Sequence, residues 1–176
     1  MISSATPSEV VSREELRRSL LVLAADFITR VRDLPGVLRL ALLGSIVTEK
    51  AKPKDIDLLV TIGDNCDLRL LATRARRLKG RAQSLGSGAD VFLADADGVY
   101  LGRTCQWRTC RPGIRVACDA SHCGRRPFLH NDFRALTLST ALVSAPPLEL
   151  VPRVVVRGAL PVDVADWLKQ FETRAM

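Results

Sequence analysis

The chain has 176 residues, 47% of them hydrophobic, and a formal net charge of +7 at pH 7. That is enough apolar material for one proper core, at about the size of a single domain. It does not supply the eighteen or more uninterrupted apolar residues of a membrane span, because the run LLVLAADFI is broken by Asp26 and followed by Arg30 and Arg32, so a membrane-spanning chain is excluded. The amino terminus shows no signal-peptide pattern, and a cytoplasmic location is expected. The basic balance points to a polyanionic partner or a nucleotide. Arginine outnumbers lysine 21 to 5, however, and genomic base composition produces the same skew.

Residues 1–11 read as a loose polar tail, leaving a single domain over residues 12–176. Ser12 and Glu15 have the spacing of a capping box and predict a helix to about Arg32. Leu16, Leu20, Leu23, Phe27 and Val31 recur at three to four residues, giving it an apolar face for packing on a sheet. Asp33-Leu34-Pro35-Gly36 is a turn, and Val37 to Leu43 reads as the first strand. That strand ends at Gly44-Ser45, where glycine takes backbone angles closed to other residues and lets a ligand approach the main chain. A short helix or loop follows, limited by Pro53.

Asp55 to Ile62 reads as a second strand with at least one covered face. Side chains two apart on a strand share a face, so Asp55 and Asp57 stand about 6.5 to 7 Å apart on the same side. Such a pair can bind one divalent ion or share a metal pair, and magnesium favours hard carboxylate oxygens. Asp67 to Lys79 reads as a helix, with Leu68, Leu71, Ala72, Ala75 and Leu78 on one side. Its basic residues, Arg69, Arg74, Arg76, Arg77, Lys79 and Arg81 just beyond, read as a solvated face, with phosphate recognition as the alternative. A second basic cluster follows at Arg103, Arg108, Arg111, Arg115, Arg125 and Arg126. Ala89 to Ala94 is the third strand, and Asp90 near its start is the best candidate for a third carboxylate. Asp95, at the strand's other end, is its rival, and Asp97-Gly98 looks like turn chemistry.

From Leu43-Gly44-Ser45 to Asp55-Ile56-Asp57-Leu58, the chain resembles the DNA polymerase β-like nucleotidyltransferase superfamily, particularly its minimal single-domain members. That family's signature is a hydrophobic residue, Gly, Gly or Ser, a spacer of roughly ten residues, then Asp, hydrophobic, Asp or Glu, hydrophobic. The resemblance covers about residues 37 to 95. It implies an α/β (α+β) fold with a mixed sheet flanked by helices. It also implies a catalytic set of Asp55, Asp57 and Asp90, with Gly44 and Ser45 binding the nucleotide. In such enzymes two carboxylates hold Mg²⁺, with Mn²⁺ as a substitute, while the third completes the site or takes the acceptor's proton.

The segment 99–132 departs from that pattern. Cys105, Cys110, Cys118 and Cys123 are spaced C-x4-C-x7-C-x4-C, with His122 beside the last and His130 shortly after. In a cytosolic chain such clustering argues for metal before disulfides, and zinc takes tetrahedral sulfur and imidazole ligands. A structural zinc site is therefore expected, with four ordinary cysteines as the alternative reading. Beyond it, Phe133 to Leu138 and Leu148 to Val156 read as strands, and Val162 to about Arg174 as a final helix with Val164, Trp167, Leu168 and Phe171 in one stripe.

Two functions follow. One is a Mg-dependent nucleotidyltransferase that moves a nucleoside monophosphate from a nucleoside triphosphate to RNA, a protein side chain or a small molecule, and releases pyrophosphate. The other is a non-catalytic nucleotide- or nucleic-acid-binding regulatory module with a structural zinc site. Neither involves a membrane, and the oligomeric state is left open.

Overall fold

The computed structural model describes residues 13–50, 53–110, 126–131, 134 and 136–175. The expected tail lies outside them. Helix α1, Arg13–Val31, forms where the apolar spacing placed it and buries Leu20, Leu23, Phe27 and Val31. Strand β1, Val37–Leu43, then pairs antiparallel with β2, Asp55–Ile62, which sets Leu43 opposite Asp57.

Helix α2, Leu68–Gln83, begins on Asp67, whose side chain accepts the Arg69 backbone N–H at 2.9 Å. It continues through Gly80, beyond the Lys79 end expected from the sequence. Ala82 extends the apolar stripe and is fully buried, which outweighs a glycine cost of about 1 kcal/mol. The helix is the crossover that a parallel strand pair requires. Strand β3, Gly88–Ala94, accordingly lies parallel to β2, with Asp55 opposite Gly88 and Asp57 opposite Asp90.

Two strands lie inside the cysteine-rich stretch where the sequence reading placed none. Strand β4, Tyr100–Thr104, pairs antiparallel with β3, and β5, Leu129–His130, pairs with β4. Gly102 makes the second pairing possible: its φ is 128°, and a Cβ there would strike the His130 carbonyl. Cys105 extends the ladder by donating its N–H to the Phe128 carbonyl at 2.7 Å. The segment expected to be wholly an insertion is thus pinned at both ends to the main sheet.

The carboxy-terminal third also differs from expectation. Of Phe133 to Leu138, the described residues 134 and 136–138 form no strand. Leu136 and Leu138 instead pack on a small apolar cluster, and Ser139 caps the short helix α3, Thr140–Ser144, by accepting the Leu142 N–H at 3.2 Å. The edge of β1 is already taken by β6, Leu148–Val151. The single strand expected over Leu148 to Val156 is broken at Pro152, which has no N–H for a ladder, and folds back as β7, Val155–Val156. Helix α4, Val162–Ala175, ends the fold and buries Val164, Leu168 and Phe171.

Among the described residues the result is a seven-stranded mixed sheet in the order β5-β4-β3-β2-β1-β6-β7. Alternation divides its faces. Leu40, Leu42, Ile56, Leu58, Val60, Val91 and Leu93 face the main core, which also holds the apolar sides of α1, α2 and α4. Ala41, Leu43, Leu59, Phe92 and Ala94 belong to the smaller cluster on the other face.

Candidate functional site

Asp55 and Asp57 alternate with the core residues Ile56 and Leu58, so both fall on the face of the smaller cluster. Asp90 alternates in the same way with Ala89 and Val91. The parallel register then brings all three carboxylates to one end of β2 and β3, each half-buried.

Their environments differ. Asp55 accepts the Gly88 backbone N–H through Oδ1 at 2.8 Å, which ties the starts of β2 and β3 together. Asp90 accepts from Arg103 Nη1 at 3.3 Å and lies 3.7 Å from Lys79 Nζ, so one cation from β4 and one from α2 reach it. Among the described residues Asp57 has neither kind of partner. Burial, then the charge of Asp90, then that of Asp55 push its carboxyl up to about 6.

Gly44 sits directly against this carboxylate. Its φ is 69°, in the left-handed region, and a Cβ at the position would run into Asp57 Oδ2. The glycine signal in the sequence is therefore a contact requirement as well as a turn requirement. From Gly44 the chain enters a short 3-10 helix, Gly44–Val47, held down by the buried Ile46 and Val47. Ser45 Oγ accepts the Lys54 backbone N–H at 3.2 Å, linking the glycine turn to the entry of β2. The loop between them is also clamped by a residue not singled out in the sequence. Arg17 on α1 is buried, donates to the carbonyls of Thr48 and Lys50, and pairs with Asp163 on α4 at 3.0 Å. An arginine on the polar side of an amphipathic helix carries no signal that it is buried, so this clamp was missed.

Asp95 takes a different role from its rival. Its Oδ1 accepts the N–H groups of Asp97 at 3.0 Å and Val99 at 2.8 Å, closing the β3–β4 turn. Lys79 and Arg103, each in one of the two basic clusters of the sequence, were not assigned to the carboxylate site. Arg103 became legible only once β4 was seen to pair with β3, which brings Arg103 opposite Phe92.

The donor set at Asp55, Asp57 and Asp90 suits a hard divalent cation, whose charge would offset the mutual repulsion that raises Asp57. Yet among the described residues no three histidine, cysteine, aspartate or glutamate side chains converge as a ready-made metal cage. Asp55 is turned to the Gly88 N–H and Asp90 to Arg103 and Lys79, so those two carboxylates must swing to join Asp57 in a shared coordination shell.

Of the cysteines, Cys105 is buried just after β4 and Cys110 is half-buried. Cys118, Cys123 and His122 lie outside the described residues, while His130 sits on β5 opposite Arg103. No helix among the described residues is long and apolar enough to cross a membrane. The chain matches no family model, no curated protein and no solved structure.

Proposed function

We propose that the chain is a nucleotidyltransferase that moves a nucleoside monophosphate from a nucleoside triphosphate to an acceptor hydroxyl, with Mg²⁺ or Mn²⁺ as cofactor. The observation that carries this reading is Asp57: a half-buried carboxylate beside two others on one sheet face, without a partner among the described residues and with the Gly44 backbone against it. Resemblance of the surrounding motif to the polymerase β-like superfamily supports it. That Asp55 and Asp90 must move to meet an ion weighs on the other side.

In this scheme Gly44 and Ser45 present backbone N–H groups to the triphosphate, and the absence of a Cβ at Gly44 leaves room for the Asp57 carboxylate against that turn. Asp55 and Asp57 hold the cation, which when bound neutralises the phosphates and aligns them for in-line attack. Asp90 accepts the proton of the attacking hydroxyl. A bond forms from that oxygen to the α-phosphorus, the α–β bridging bond breaks, and pyrophosphate leaves. Once Asp90 turns away from Arg103 and Lys79, those cations are placed to meet phosphate charge.

The same reading includes a structural zinc held by the thiolates of Cys105, Cys110, Cys118 and Cys123. The closure of β4 on β5 holds the ends of that segment together.

The test is pyrophosphate release and thermal stabilisation across a panel of the four nucleoside triphosphates with Mg²⁺ or Mn²⁺. Metal-dependent stabilisation by at least one triphosphate is expected, lost in a folded Asp57→Asn variant. Equal stabilisation of that variant would refute the site.

A further inference from the structure

Helices α1 and α2 lie side by side on the main core, and a groove of about 190 Å³ runs between their outer edges. Its floor is apolar, formed by Leu23, Phe27 and Leu78. Its rims carry Arg30 from α1 and Arg74, Arg77 and Arg81 from α2. The three α2 arginines follow one another at spacings of three and four, so they form a single stripe about 10 Å long.

Among the described residues Asp26 is the one carboxylate lining the groove, and it is already shared: Arg30 donates to its Oδ1 at 2.9 Å and Arg81 to its Oδ2 at 2.6 Å. Among the described residues Arg74 and Arg77 have no ion-pair partner. Like charges one turn apart disfavour the helix, whereas an ordinary solvated face intersperses carboxylates that relieve the repulsion. Among the described residues that relief reaches only Arg81, at one end of the stripe.

We propose that this groove binds the phosphate backbone of a nucleic acid without reading its sequence. A guanidinium fork fits a phosphate in two-toothed fashion, and only a ligand with charges repeated along a line engages guanidiniums spread over two helical turns. A single phosphate spans too little of the stripe. The apolar floor accepts the sugar faces between phosphates. The groove lies on the helix-covered side of the sheet, whereas Asp55, Asp57 and Asp90 lie on the other side, so it is separate from the proposed reaction centre and does not depend on it.

Fluorescence anisotropy with a short labelled single-stranded oligonucleotide of mixed sequence, titrated from about 50 to about 200 mM salt, tests this. Wild-type protein is expected to bind with steep salt dependence and little sequence preference. Arg74→Glu with Arg77→Glu should lose about tenfold or more in affinity and flatten the slope of log K against log salt by about 1.4, the share of two single-strand phosphate contacts. Arg69→Glu with Arg153→Glu makes the same change in net charge away from the groove and should stay near wild type. The milder Arg74→Gln with Arg77→Gln guards against a folding defect, and Asp57→Asn should bind as wild type. Equal loss in both charge-reversed pairs would show that net charge alone binds the oligonucleotide, and would overturn the proposal. So would wild-type affinity in the groove variants, or competition by polyglutamate as strong per charge as by unlabelled oligonucleotide, which would point to an acidic protein.

Discussion

Asp57 stands opposite Asp90 across the parallel pairing of β2 and β3, and after burial the Asp90 charge is the main reason its carboxyl is pushed up to about 6. A carboxyl with a folded value above its unfolded 3.8 binds its proton more tightly in the folded state, so metal-free protein loses stability as pH rises from about 4 to about 6. The penalty is fully present at neutral pH and is on the order of 2 kcal/mol once solvent screening is allowed for. Asp57→Asn should remove it and be more stable than wild type at pH 8, with little difference at pH 4. Urea denaturation of both proteins with chelator present measures this, and parallel pH profiles would contradict it.

Glu149 acts with the opposite sign. Burial alone would push it up, but hydrogen bonds and charge from Arg39 and Arg157 outweigh burial and hold it below the ordinary carboxylate range. Its stabilisation is present above that range and lost in acid. Glu149→Gln should therefore weaken the protein at pH 7 and flatten the acid limb of the same profile.

Gly44→Ala places a Cβ against Asp57 Oδ2 and puts a side chain in the left-handed region at once. The strain is about 1 to 3 kcal/mol, and part of it can be relieved only by moving the carboxylate. Loss of metal-dependent nucleotide binding should exceed what the fall in melting temperature explains. Isothermal titration on variant protein kept well below its melting point checks this, with unchanged binding as the contrary result.

Arg17→Met leaves the Thr48 and Lys50 carbonyls and Asp163 without their donor, at a cost of about 1 to 3 kcal/mol. Asp163→Asn leaves the contacts to the loop in place and should cost less. Amide exchange then separates the two variants: protection at Lys54, whose N–H is held by Ser45, should fall in Arg17→Met and survive in Asp163→Asn. Equal protection in both would remove the loop-clamping role.

For the cysteines, purified untagged protein is expected to carry about one zinc per chain, and single changes of Cys105, Cys110, Cys118 or Cys123 to serine should each lower it. Four thiolates fill zinc's tetrahedral shell, leaving no open position for a catalytic water. Elemental analysis and thiol titration decide the matter. Folded, metal-free protein with four titratable thiols in this set would eliminate the site and leave the carboxylate cluster untouched.

What the sequence made legible follows from periodicity. Strands β1, β2 and β3 were each found within a residue of their ends, and α1 likewise, because their apolar residues repeat cleanly and a turn residue closes each run. The relation among Asp55, Asp57 and Asp90 was also partly readable, since a two-residue spacing fixes a shared face. What failed was non-local. Strand β4 depends on Gly102 yielding to His130, and the two-residue β5 and β7 are too short to show alternation. Leu136 and Leu138 have strand-like spacing, but the edge of β1 is taken by β6 and the two leucines pack on the smaller apolar cluster. Lys79, Arg103 and Arg17 matter through neighbours far away in sequence, which no single-chain pattern encodes.

Among the described residues the sheet ends on both sides in strands only two residues long, β5 and β7. An exposed long edge invites another chain to add itself as an extra strand, the first step towards fibrous aggregation. Here each border offers so few main-chain groups that such templating gains little. A chain adding itself as a strand would find, among the described residues, only a two-residue ladder at either border.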